Sequence, residues 1–331
     1  MIWLTWRQHR KQFLYTLFAL AAVAAVMVPT GLSMHHTFEH SGLAACIAKL
    51  GGAQIVADEN CSQLSQQFSS QYNGLALVGV LFVIFPVFVG IFYGAPLVSR
   101  EIEHGTHRFV WTQGITRRRW ALSKFGLVGL ATAVIAVLYA LGVSWWFGPL
   151  ATSGGGRINY VSFDVQGVVP IAYTLFAVAL GIFLGTVTRK VLPAMGATIA
   201  VFVVARVAIE WGARKHYMSP ESLKIPITSA GQHNQYAGDW VYQTGVVNAA
   251  GKMEVPNGTI ECGVGPGGGV QAVNVPTGTA PCGGATAGSS NWWLYQPGSR
   301  FWDLQGIESG IFIALAALLV WGALMRVRRL T

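Results

Sequence analysis

Arg100-Glu-Ile-Glu-His-Gly-Thr-His-Arg-Phe-Val-Trp-Thr-Gln-Gly-Ile-Thr-Arg-Arg-Arg-Trp-Ala-Leu-Ser-Lys124 is a polar, strongly charged stretch set between two long apolar segments. Upstream, Gly74 to Val98 runs for 25 residues without a charge; downstream, Phe125 to Leu150 runs for 26. Each exceeds the ~20 residues that span a bilayer as a helix. A charge at mid-bilayer costs about 2.5–3.5 kcal/mol on insertion scales, so Arg100, Glu101, Glu103, Arg108 and Arg117 to Arg119 cannot sit in lipid together. The stretch is a loop at a membrane face.

Composition agrees. The chain has 331 residues, 53% of them hydrophobic and only 11% charged, with a mean hydropathy of +0.47. That is too apolar for a soluble domain of this size and fits a polytopic membrane protein. The net charge of +9 does not point to nucleic acid, because the basic residues cluster beside apolar runs, where they set membrane orientation.

Toward the N-terminus, residues 1–12 place Trp3, Trp6 and the following Phe13 at helical spacing among Arg7, His9, Arg10 and Lys11. This is the pattern of an amphipathic helix in the headgroup layer, in contact with membrane lipid. The uncharged Phe13–Ser33 is too long for a signal peptide followed by cleavage and reads as span one. Further spans are expected at 74–98, 121–147, 167–188, 191–211 and 307–325, with a tight turn at Arg189-Lys190. Transmembrane helices one to five thus occupy 13–211, with the loop at 99–120. A Gly-, Pro- and Asn-rich insert fills 212–306, and span six with a basic tail closes the chain at 307–331. The expected fold is an all-α membrane protein of six transmembrane helices, with an N-terminal interfacial helix and an extracytoplasmic insert between helices five and six.

Six spans put both termini on one side. That side carries 14 of the 22 Lys and Arg, including Arg7, Arg100, Arg189 and Arg326, against seven on the other. The positive-inside rule places the termini and the charged loop in the cytoplasm of a multi-pass cell-membrane protein. Cys46, Cys61, Cys262 and Cys282 then lie outside, where disulfides persist. Four cysteines allow three connectivities; with two in each polar segment, Cys46–Cys61 and Cys262–Cys282 is the expected one.

Two spans flanking Arg100-Glu-Ile-Glu-His-Gly-Thr106, then Thr112-Gln-Gly-Ile-Thr-Arg117 and Lys124 entering the next helix, resemble the membrane subunits of type-2 ABC export systems. Thr5-Trp-Arg-Gln-His-Arg-Lys-Gln12 and Tyr295-Gln-Pro-Gly-Ser-Arg-Phe-Trp302 are similar to actinobacterial permeases of that group. The resemblance covers about two-thirds of the chain. It implies a permease subunit paired with a second copy or a related permease, and a separate ABC ATPase that binds ATP-Mg. The loop between spans two and three would then be the coupling helix docked on that ATPase, and the insert would stand where G-subfamily exporters carry an extracellular domain. Arg100, Glu101, Glu103, Gly105, Thr106 and Arg108 are the expected coupling residues, with Phe109 and Trp111 as apolar anchors.

The residues support this independently. Gly105 interrupts the helix leaving span two, and Thr116 can cap the helix that becomes span three. Mixed charge suits a protein face, although Arg117 to Arg119 equally suit anionic headgroups. No Gly-x-x-x-x-Gly-Lys-Ser/Thr occurs, so no cofactor is expected on this chain and hydrolysis belongs to another one. Gly263, Gly265 and Gly268 match G-x-G-x-x-G without a flanking strand and helix, which excludes a dinucleotide fold. His36-Thr-Phe-Glu39-His40 matches H-x-x-E-H, but a loop of about 40 residues is too small to build a peptidase cleft.

Within the spans, Phe85, Phe88 and Phe92 form a stripe beside Pro86 that either lines an export path or packs on a neighbour. Gly90 with Gly94 and Gly181 with Gly185 allow close helix approach without saying which helices meet. Arg206 and Glu210 are four apart in span five; about 22 Å from the start of that span, Arg206 is expected to snorkel to the outer surface. The competing classes are a secondary transporter, which would carry charges and broken helices at mid-membrane, and a membrane-anchored receptor or enzyme acting through the insert.

Overall fold

The structure, a computed structural model, describes residues 2–49, 59–105, 116–153, 156–227, 238–259, 261–264, 270–273 and 288–329. Among them, six helices are long and apolar enough to cross a membrane. α1 spans Ile2–His40, unbroken where the sequence suggested a boundary at residue 12, and α2 spans Leu43–Lys49. α3 (Glu59–Val89) continues through one π-helical turn, Gly90–Gly94, into α4 (Ala95–Glu103). α5 covers Arg117–Ser153, and the short α6 covers Tyr160–Val165. α7 (Val169–Thr188) and α8 (Val191–Ala208) come next, and α9 is Phe301–Arg328.

The π turn has a local cause. Pro96 has no N–H to give, and its ring would clash with the Phe92 carbonyl in a regular helix. A wider turn, closed by Ala95 N–H donating to the Gly90 carbonyl, relieves this.

That turn is also where the two glycine pairs meet each other. A Cβ on Gly90 would lie 2.7 Å from the Ala177 carbonyl oxygen and one on Gly94 2.5 Å from that of Val178. Reciprocally, a Cβ on Gly181 would be 2.6 Å from Ala95 N and one on Gly185 2.7 Å from Ala95 O. The backbones of the π turn and α7 are therefore in direct contact, as small residues permit between membrane helices. α7 is the most enclosed span and α1 the least. Around α7, the Phe176 ring packs on Phe202 of α8 and Phe312 of α9, at 6.0 and 5.1 Å between centroids.

At one end of the bundle the elements are joined by charged turns. Arg189, in a left-handed conformation at φ 58°, makes the tight α7–α8 reversal that the sequence predicted. At the other end, 212–306 carries a feature absent from the all-α expectation for the membrane part: a four-stranded antiparallel sheet. Its order is β1-β6-β2-β3, with β1 Glu221–Pro226, β2 Trp240–Val247, β3 Met253–Pro256 and β6 Ser290–Gln296. β4 (Glu261–Val264) and β5 (Val270–Val273) form a separate pair.

The Tyr295–Trp302 stretch ties sheet to bundle. Arg300 donates to the Ser219 carbonyl at 2.8 Å and to Glu221 at 2.6 Å, and Gly298 N–H donates to Asp239 at 2.7 Å. α9 starts at Phe301, before the apolar run at Ile307, and this first turn is used. The fully buried Gln305 accepts from Val168 N and Val169 N at 3.0 and 2.8 Å and donates to the Phe163 carbonyl, capping α7. Cys46 lies on α2; the side chains of Cys61 and Cys262, and residue Cys282, lie outside the described residues.

Candidate functional site

Two sites, one at each end of the bundle, carry the charged side chains. At the sheet-bearing end, α6 folds back against the bundle and delivers Asp164. α7 contributes Tyr173, α8 Arg206 and α9 Glu308. A second π turn, Ile209–Ala213, leads into a 3₁₀ turn that contributes Arg214. All five are buried, Arg214 at 1% and Glu308 at 0% exposure.

Arg214 makes a double contact with Glu308, Nε to Oε2 and Nη2 to Oε1, both at 2.9 Å, and reaches Asp164 at 2.7 Å. Arg206 donates to Asp164 at 2.5 Å and to Glu308 at 3.4 Å, with its guanidinium 3.7 Å from the centroid of the Tyr173 ring. The Tyr173 hydroxyl donates to Glu308. Two guanidinium groups thus face two carboxylates and the formal charge cancels. Bidentate, charge-assisted bonding offsets the large desolvation cost of burying these groups.

This corrects the expectation for Arg206. Arg206 does not snorkel to a surface: α6 brings Asp164 over it, and it is 6% exposed. Nor does it pair with Glu210. The π turn inserts an extra residue just beyond α8, which rotates the downstream 3₁₀ turn by about 100° relative to a regular helix. Asp164, Tyr173, Arg214 and Glu308 were missed by sequence reasoning. The available signal was that Asp164, Arg214 and Glu308 each lie within three residues of an apolar run's boundary.

At the opposite end, α4 stops at Gly105, whose φ of 69° is the left-handed geometry of a helix stop. Glu101 is ion-paired with the buried Lys124 of α5, whose ammonium lies 5.0 Å from the centroid of the Trp120 ring. Glu103, exposed, accepts Val191 N–H at 2.8 Å, the first turn of α8. A carboxylate there satisfies an orphan donor and the helix dipole. Thr116 caps α5 as expected, its Oγ1 accepting Arg119 N–H at 3.3 Å. Arg117 reaches the Arg328 carbonyl of α9 at 3.4 Å. Arg100 is exposed. Thr106, Arg108, Phe109 and Trp111 lie outside the described residues.

The remaining sequence features fall elsewhere. Phe85 stacks on Tyr139 at 4.0 Å, whereas Phe88 and Phe92 stack on each other and face outward, 47% and 50% exposed. His36 stacks on His40, and His35 on Trp145. Among the described residues no group of three His, Cys, Asp or Glu side chains could hold a metal ion. Gly265 and Gly268 lie outside the described residues.

Among the described residues, six membrane-length helices with a glycine-mediated crossing at α7 define a multi-pass helical membrane protein. A family model described as ABC-2 membrane transporter related matches residues 17–214. The chain belongs to that family, and its place is that of a permease subunit of an ABC transporter. The match ends at Arg214, so the sheet and α9, which supplies Glu308, lie beyond it. No curated protein and no solved structure matches the chain.

Proposed function

We propose that the chain is the membrane subunit of an ATP-driven exporter, energised through its loop-bearing end by a separate ABC ATPase that carries ATP-Mg. That end and both termini face the cytoplasm, and the sheet faces outward. A second copy, or a related permease, completes the transporter, with the exposed Phe88 and Phe92 turned toward the shared path. Cys46–Cys61 and Cys262–Cys282 close the outer segments.

The observation that supports this reading is how α4 ends. Its last turn holds α5 through Glu101–Lys124 and α8 through Glu103–Val191, directly before residues 106–115 in the chain. A partner that displaces this loop pulls on three spans at once.

The test is to co-express the chain with the ATPase encoded beside it, purify the pair and measure ATP hydrolysis. Gly105→Val, strained at a positive φ, and Glu103→Ala should weaken co-purification and the stimulation of hydrolysis, whereas Arg118→Ala should not. If all three variants behave as wild type, coupling does not pass through this end. Non-reducing mass spectrometry tests the disulfides: peptides linking Cys46 to Cys61 and Cys262 to Cys282 are expected, and other linkages overturn the pairing.

A further inference from the structure

Beside the ionic cluster, but outside it, lies a cavity of about 240 Å³ lined by Tyr160, Glu210, Trp211, Lys215, Trp240 and Tyr242. Three elements and the 3₁₀ turn that bears Lys215 build it. Tyr160 opens α6, Glu210 and Trp211 lie in the π turn after α8, and Trp240 and Tyr242 lie on β2, where the pairing to β6 shifts register between Val241 and Gln243. The rings are set edge to face: Tyr160 and Trp240 at 5.8 Å and 78°, Trp240 and Tyr242 at 4.5 Å and 63°. Such walls present π faces in more than one direction, which is how aromatic cages hold ammonium groups. Burial pushes the Tyr242 hydroxyl up to about 12, so that ring stays neutral.

The charges in this cavity are uncommitted. Arg206 and Arg214, behind its wall, are matched by Asp164 and Glu308. Glu210 is therefore a surplus carboxylate. It is half-buried, and among the described residues it takes part in no hydrogen bond or ion pair. Lys215 on the rim is exposed and equally unengaged there. A half-buried anion among aromatic rings, with a cation at the edge, is complementary to a ligand of the reverse pattern. The volume is below the ~300–1,000 Å³ of pockets that enclose drug-sized molecules, so the bound moiety is the size of a headgroup.

We propose that this cavity binds an ammonium-bearing zwitterion. Its ammonium group sits against Glu210 and the faces of Trp211, Trp240 and Tyr242, and its anionic group sits at Lys215. A phospholipid headgroup and a small soluble zwitterion share this chemistry. The site stands whatever the direction of transport and whether or not an ATPase is bound.

The test uses the full chain purified in a maltoside detergent and titrated calorimetrically with phosphocholine, tetramethylammonium and 3,3-dimethylbutan-1-ol, the uncharged isostere of choline. Phosphocholine and tetramethylammonium should bind, and the isostere should bind at least about tenfold more weakly. Glu210→Gln should weaken both charged ligands about tenfold. Trp211→Leu, at a side chain that is 71% exposed and so dispensable for folding, should weaken both about threefold. Lys215→Gln should weaken phosphocholine and strengthen tetramethylammonium.

Repeating the titration in nanodiscs identifies the source. Suppression of phosphocholine binding by phosphatidylcholine discs but not by phosphatidylglycerol discs assigns a lipid headgroup, and equal binding in both assigns a soluble ligand. Equal affinity for the isostere, or unchanged binding in Glu210→Gln and Trp211→Leu, would overturn the site. Lys215→Gln leaving the two charged ligands in the same ratio would overturn its zwitterionic half.

Discussion

The two ends of the helix bundle are fastened in opposite ways. At the sheet-bearing end, five buried side chains from four elements and a connecting turn bond to one another many times over, Gln305 ties α9 to α6 and the start of α7, and Arg300 binds that end to the sheet. At the loop-bearing end, the polar joins among the described residues include an ion pair from α4 to α5, a carboxylate from α4 to the start of α8 and a guanidinium from α5 to α9, beside an apolar cluster that includes Trp120, Ala323 and Val327. Redundant buried contacts resist separation together, because freeing one partner strands another charge without water. Among the described residues the first end carries the denser polar bonding, whereas the exposed Glu103 contact of the second can be exchanged for water.

Substitutions can break this contrast, beginning with the most damaging. Arg214→Leu leaves Glu308 and Asp164 buried with too little countercharge and should cost about 3–5 kcal/mol. In fluorescence-detected size exclusion it should appear as a large fall in melting temperature or as loss of the folded peak, and a wild-type profile would mean that the cluster does not hold the bundle. Gly181→Val forces a side chain into the backbone of the π turn, at a cost of about 1–3 kcal/mol on the scale of overpacked cores. Thermal melts should show an intermediate fall, and no change would place the two helices farther apart. Glu103→Ala removes one exposed contact to a helix start and should cost only about 0.3–1 kcal/mol, so its melting temperature should stay near wild type while coupling falls. Arg118→Ala, at an exposed position, should lie within about 0.5 kcal/mol of wild type; a larger fall would show a contact at this end that the contrast omits.

The two ends also differed in how much of them the sequence revealed. The spans, the tight turn at Arg189, the stop at Gly105 and the Thr116 cap were legible because each depends on residues within a few positions. Gly90, Gly94, Gly181 and Gly185 announced a close approach but not its partner, since pairing is a tertiary fact; the structure pairs them with one another. The ionic cluster was the least legible. Arg206 alone has a satisfactory local explanation, because a long side chain near a helix end can reach water. What removes that option is α6 folding back with Asp164 and a π turn redirecting Arg214, and neither has a periodicity to read. The sheet was underread for a similar reason. Its strands are short and separated by Gly- and Pro-rich turns, although Val, Tyr and Trp in 240–247 and 290–296 carry a β preference.

The proposed coupling requires the loop-bearing end to face the compartment that holds ATP. Single cysteines introduced by Ser153→Cys, Gly283→Cys and Thr112→Cys can be probed in intact cells with a membrane-impermeant maleimide, with the unsubstituted chain as the background control. Ser153→Cys and Gly283→Cys should label from outside and Thr112→Cys only after the membrane is opened. Labelling of Thr112→Cys in intact cells would place the charged loop away from ATP and contradict the proposed coupling.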